Sequence, residues 1–237
     1  MFRFVRILFY AALVIPAATV LAAETDVTLL LFEDQDSQLE PAYMTRLLLT
    51  SDFLRMDDGD DHGDFALLNR KDGTIYSVSH EEQRTLVIPA QPVIMAPPKK
   101  LRHDVEELDA GSVPDVGGNK VSRYYLFTNG TRCSEIYAVK EFYPDAVSAL
   151  AVFSKTLAGQ HAKAMEAMPD LVSSDCDMAN NIFVPDRHLN MGFPIRQKDF
   201  SGRSRQLVTV KDDVKVDVSM FELPLGYQKF MPGGLPH

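Results

Sequence analysis

Hydrophobic and polar positions along this chain change places over short distances, and one stretch alone repeats with helical spacing. Val27 to Phe32 is a continuous apolar run, the pattern of a strand buried on both faces or lying at an edge. Tyr43 to Met56 mixes apolar and polar residues and predicts two strands or one long bent one. Phe65–Asn69 and Thr74–Ser79 flank Lys71-Asp72-Gly73, and Asp-Gly between such runs signals a hairpin. Arg84 to Ile88 adds another short strand, so residues 43–88 predict an antiparallel meander. A second hairpin, Val121–Thr128 with Ser134–Phe142, turns at Asn129-Gly130. Pro194–Phe200 and Arg205–Val210 are joined by Ser201-Gly202. Val214, Val216, Val218 and Met220 then alternate with Lys215, Asp217, Ser219 and Phe221, the clearest period-two stretch and a predicted strand through Phe221.

The helical stretch opens at Pro144-Asp145. Val147, Leu150, Ala151, Ser154, Leu157, Ala158, His161, Met165 and Met168 recur at helix spacing, and Pro169 ends the run. The rhythm breaks across Pro89–Gly118, where Pro89, Pro92, Pro97, Pro98 and Pro114 fall within one segment. That reads as a long loop, with room for a strand around Lys100–Leu108 and an unexpectedly apolar Val93-Ile94-Met95. No fixed-period repeat and no linker divides the chain, so residues 24–237 are expected to form a single domain.

Composition changes the picture at the amino terminus. Arg3 and Arg6 precede an apolar core from Ile7 to Val20, and Ala22-Ala23 offer a small-residue cleavage point. This is the pattern of a secretory leader spanning residues 1–23. The apolar core is shorter than the roughly 20 residues of a spanning helix and contains Pro16. The expectation is therefore a cleaved leader and no membrane span afterwards, with a periplasmic destination in a Gram-negative host. Losing the two arginines takes the net charge from −9 to −11. Such an acidic surface argues against nucleic-acid binding, which needs clustered Lys and Arg.

In an oxidising compartment the only two cysteines, Cys133 and Cys176, are expected to form one disulfide. The alternative, a redox or metal pair, lacks the C-x-x-C spacing or the further ligands that such sites use. The bridge would tie the helix to the strand preceding it.

Catalytic and metal patterns are sparse. The run Asp57-Asp58-Gly59-Asp60-Asp61-His62-Gly63-Asp64 places hard oxygen ligands close together but lacks EF-hand order; an acidic solvated turn accounts for it. His80-Glu81-Glu82 and His103-Asp104-Val105-Glu106 supply too few ligands for zinc and neither is H-E-x-x-H. Neither a G-x-S-x-G elbow nor a Walker loop is present. Asn129-Gly130-Thr131 matches a glycosylation sequon but coincides with a hairpin turn. No enzymatic activity, metal or cofactor is expected. On the helix, Leu150, Phe153, Leu157, Met165 and Met168, with His161 on the same stripe, could line an apolar pocket against the sheet, since methionine adapts to irregular ligands. The same residues would equally serve a closed core.

Gly192-Phe193-Pro194-Ile195-Arg196 precedes Asp199-Phe200-Ser201-Gly202, and the last strands close on Phe221-Glu222-Leu223-Pro224-Leu225-Gly226-Tyr227. These residues resemble the tail of an uncharacterised exported family that ends in a Phe-x-x-Pro-x-Gly-Tyr signature. Leu47 to Ile88 is similar to that family's amino-terminal meander. The resemblance extends to the fold of the outer-membrane lipoprotein carriers LolA and LolB. It implies an α+β architecture in which a curved antiparallel half-barrel packs on one main helix and holds an acyl chain. The expected function is that of a soluble exported envelope protein binding a hydrophobic or lipidated ligand. The alternative is a protein-interaction or scaffold module with a filled core and an envelope protein partner.

Overall fold

Twelve strands form one sheet in the computed structural model, which describes residues 23–167 and 173–233. Leader residues 1–22, Met168 and Pro169 lie outside the described residues. The strands are β1 (Glu24–Gln35), β2 (Tyr43–Leu49), β3 (Phe53–Asp57), β4 (Phe65–Asn69), β5 (Ile75–Ser79), β6 (Arg84–Ile88), β7 (His103–Asp109), β8 (Val121–Thr128), β9 (Thr131–Val139), β10 (Phe193–Asp199), β11 (Ser204–Asp217) and β12 (Gln228–Phe230). Their order is β12-β6-β5-β4-β3-β2-β1-β11-β10-β9-β8-β7. Every pairing is antiparallel except that of β12 with β6. β1 is an interior strand, paired to β2 on one side and β11 on the other; its sequence is apolar on both faces because one face packs with the helix Pro144–Ala167 and the other with Met220 and Phe221.

Side-chain alternation sorts two cores onto the two faces of the sheet. On the inner face Leu30, Phe32, Leu47, Leu49, Leu54, Leu68, Ile75 and Ile88 pack beneath the main helix, α1 (Pro144–Ala167). On the outer face Val27, Leu48, Phe65, Leu67 and Val78 pack beneath Met220 and Phe221. Buried among the outer residues is Arg55, 2% exposed. Its guanidinium lies 3.9 Å from the centre of the Phe65 ring and donates to Asp57 Oδ2 at 2.6 Å and to the Met220 carbonyl at 2.8 Å. Arg46 donates to the other oxygen of the same carboxylate at 2.8 Å. Burial alone would raise the Asp57 pKa. Hydrogen bonds from Arg46 and Arg55 outweigh it and hold the group below the ordinary carboxylate value.

α1 begins at Pro144, which suits the first helical position, and its Asp145 is held by Arg70 at 2.9 and 2.5 Å. Its fully buried positions are small ones: Ala146, Ala149, Thr156, Ala158, Gly159 and Ala162. They sit where backbone comes close. Thr156 Oγ1 donates to the carbonyl of Gly73 in the β4–β5 turn at 2.7 Å. A methyl group on Gly159 would overlap the Gln91 carbonyl oxygen, so the proline-rich arm after β6 lies directly against the helix. The bulky stripe Leu150, Phe153 and Leu157 is only half-buried.

The disulfide joins Cys133 on β9 to Cys176 in a short helical turn, Asp175–Met178, which runs on into a π-helical turn at Ala179–Phe183. Neither turn is legible in the hydrophobic pattern, nor is the 3₁₀ turn at Arg187–Met191. The expected strand around 100–108 is β7, an edge strand, while the remainder of 89–118 holds no strand apart from one isolated bridge between Val116 and Asn119.

Two expectations need correction in the last third. Arg205–Val210 and Val214–Asp217 are one strand, because both pair with β1 across a bulge where Asp213 takes a left-handed φ of 54°. That strand stops at Asp217 rather than Phe221. The Asp217 carboxylate accepts the Ser219 N–H at 2.8 Å and starts a 3₁₀ turn, Val218–Phe221, which brings Met220 and Phe221 onto the same face. Strict alternation would have split them. No described helix is long and apolar enough to cross a membrane.

Candidate ligand cavity between helix and sheet

Between α1 and the inner face lies a cavity of about 390 Å³. Its apolar wall combines Phe32 of β1, Met56 of β3 and Ile136 of β9 with Leu150, Phe153 and Leu157 of α1. Each strand residue points inward by parity: Phe32 and Asp34 share a face of β1, and Ile136 faces the same side as Ser134. His161 stands exposed at the helix end of the cavity, its Nδ1 3.2 Å from the Asn181 carbonyl oxygen. Met165, half-buried one turn further on, does not line the cavity, and Met168 is outside the described residues. The structure therefore brings four of the six anticipated helix residues to one cavity.

The sheet contributes polar groups that the helix pattern does not reveal. Asp34, 6% exposed, receives both guanidinium arms of Arg205 at 2.6 Å and the Thr45 hydroxyl at 2.7 Å. This is a satisfied buried pair, and the signal for it is the acidic residue two places after Phe32 on an inward-facing strand. Asn180 donates to Ser134 Oγ at 3.0 Å and accepts from Arg187 at 2.7 and 3.2 Å. Arg187 also donates to the Phe127 carbonyl, to Thr128 Oγ1 and to His103 Nδ1, at 3.0, 3.0 and 3.1 Å. Burial lowers its pKa. Burial and then the Arg187 charge also lower the pKa of His103, in keeping with a neutral ring whose Nδ1 lone pair faces the guanidinium. His188 lines the cavity too, and burial pushes its pKa down to about 4. At neutral pH it is an uncharged hydrogen-bonding group in an apolar wall.

The other candidates have local structural partners. In the acidic run, Asp57, Asp58 and Asp60 accept the N–H groups of Gly59, Asp60 and His62, and Asp61 pairs with Arg46 at 2.7 Å. His80 Nδ1 lies 2.8 Å from the Tyr227 hydroxyl, which ties β5 to the C-terminal segment. Asn129, in the left-handed region at the β8–β9 turn, accepts from the Arg102 N–H and donates to Asp175. Among the described residues no three His, Cys, Asp or Glu side chains converge as a metal site.

A different surface lies on the outer face of β8–β10. Arg123 sits 4.9 Å from the centre of the Tyr125 ring and 5.6 Å from that of Tyr137; Arg132 covers Tyr125 at 4.6 Å and Arg196 covers Tyr137 at 5.5 Å. Sequence reasoning missed this ladder because strand register, with a bulge in β9, is what sets Arg132, Tyr137 and the distant Arg196 beside Arg123 and Tyr125 on one face.

No protein-family model matches the chain, and no curated protein matches it. Among solved structures it is similar to one described as the structure of PNGF-II in a C2 space group, at 9% identity and a TM-score of 0.41. That similarity covers 87% of this chain and 31% of the other, so the chain spans about a third of its neighbour's length.

Proposed function

We propose that this protein is an exported envelope protein that works by binding a hydrophobic or lipidated ligand between α1 and the inner face of a curved, LolA/LolB-like sheet. The observation that carries this reading is the apolar wall shared by Phe32, Met56, Ile136, Leu150, Phe153 and Leu157 around about 390 Å³. The volume is in the range of small-molecule sites, and the rest of the lining is largely polar, with Asp34, Asn180, His188 and Arg205 among it. Burying ten methylenes would gain about 8 kcal/mol before ordering costs, a micromolar scale. The disulfide suits an oxidising compartment, and the periplasm is the proposed location.

Native mass spectrometry of residues 24–237, purified from an oxidising periplasm without detergent, tests this. A reproducible excess mass of lipid size, lost on denaturation and absent from a cavity-filling Leu157→Trp variant, is the expected result. A bare mass in the wild-type protein would overturn it and favour the second reading, a protein-interaction module. The Arg–Tyr ladder on the outer face of β8–β10 supports that alternative, since Arg and Tyr dominate interface hot spots.

A further inference from the structure

The ion pairs of the cavity lining are closed within the protein. Asp34 holds Arg205 through two contacts of 2.6 Å, and Asp199 holds Arg203 at 2.8 Å. Two further charged residues touch the cavity, and both are exposed. Asp36, just after β1, accepts the Tyr43 hydroxyl at 3.2 Å. Lys198 stands beside Glu135 in the β9–β10 register, which places its side chain on the sheet face opposite the helix. The uncharged polar groups are less committed. Gln197 faces inward by the same register, next to Ile136 and Arg205, and its amide has no hydrogen-bond partner among the described residues. Nor has the hydroxyl of Ser154, which shares the helix stripe of Leu150 and Leu157. One ring nitrogen of His188 donates to the Pro185 carbonyl. The neutral ring keeps a bare acceptor on the other nitrogen.

The wall thus offers three uncommitted hydrogen-bonding groups and no unpaired buried charge. An ionised headgroup drawn in here would give up its water without gaining a counter-ion. Asp36 lacks a cationic partner among the described residues, which disfavours an anionic head further. A hydroxyl gives up less, and it can both donate to His188 and accept from Gln197 or Ser154. Resting on the cavity reading above, we propose that the ligand is a single-chain amphiphile with an uncharged, hydroxyl-bearing headgroup. Its chain lies against Phe32, Leu150, Phe153 and Leu157, and its hydroxyls bond to Ser154, His188 and Gln197. The modest chamber suits one chain rather than several.

Three ligands of equal chain length separate the possibilities by calorimetry below their micelle-forming concentrations: 1-monododecanoylglycerol, dodecanoate and dodecyltrimethylammonium. The glycerol ester should bind about tenfold tighter than either ion, and Leu157→Trp should abolish its binding. The double variant Ser154→Ala, Gln197→Met, at two half-buried positions, should weaken the ester about tenfold, the equivalent of about 1.4 kcal/mol, and leave both ions unchanged. Either ion binding as tightly as the ester would overturn the uncharged headgroup while leaving the cavity reading standing. So would a double variant that leaves the ester unchanged or weakens all three ligands alike. Binding of none of the three, or binding that survives Leu157→Trp, would remove both.

Discussion

Single residues in this protein owe their chemistry to neighbours brought in from distant parts of the chain. His188 is the clearest case. Its pKa of about 4 lies below the ordinary histidine value because burial disfavours the charged ring. Between about pH 6.5 and 4 the unfolded chain takes up a proton that the folded protein refuses. The contribution is therefore intact above about 6.5 and is lost progressively as the pH falls. Allowing for its partial exposure, the loss should come to about 2 kcal/mol at pH 4.5. Urea unfolding at pH 7.5 and pH 4.5 checks this: the wild-type protein should lose about that much more stability than His188→Gln. Identical losses would mean that the ring is solvated. Nothing in the residues flanking His188 forecasts this environment, because the cavity around it is assembled from β1, β10, β11 and α1.

Among the elements, α1 shows how far pattern carries and where it stops. Its start at Pro144 and its length of 24 residues agree closely with the helical spacing. Which side lies deepest does not. The conspicuous Leu and Phe stripe borders a cavity, while Ala146, Ala149, Thr156 and Gly159 meet the core and the overlying arm. Small residues are weak hydrophobic signals, yet they alone let backbones approach. Helix propensity would favour Gly159→Ala by about 1 kcal/mol. The added methyl would collide with the backbone carbonyl of Gln91, so the substitution should instead destabilise the protein by about 1–3 kcal/mol, the cost of overpacking. Thermal unfolding with a rise in Tm would show that the arm yields easily. β11 carries the complementary lesson: alternation through Phe221 is real in the sequence, but the Asp217 cap turns the chain before the pattern ends.

At the scale of the whole molecule, a single sheet must be held together across many non-local pairings. β7, at one end, exposes His103, Asp104, Glu106, Glu107 and Asp109, and charge of this kind discourages another chain from adding to the edge. β12, at the other end, is only three residues long. The Cys133–Cys176 bridge closes a 43-residue separation and anchors the helical turn whose continuation supplies Asn180 to the cavity. Replacing both cysteines by serine should cost up to about 4 kcal/mol in the chain-entropy model. Denaturant titration of the double variant measures it, and unchanged stability would show that the turn is held by packing alone.

What the sequence determined by itself was local. Hairpin turns at Asp72-Gly73 and Asn129-Gly130, the run of strands, the main helix and the disulfide all follow from spacing, turn chemistry and cysteine count, because these depend on residues near one another or on there being only one available pair. Tertiary structure alone decided the rest: that β1 pairs with β11, that β12 returns in parallel to β6, and that Asp34 meets Arg205. Those outcomes depend on register between strands that lie as far apart in the chain as Glu24 and Asp217. A one-residue slip would send each of those side chains to the opposite face, and no local pattern records which register wins.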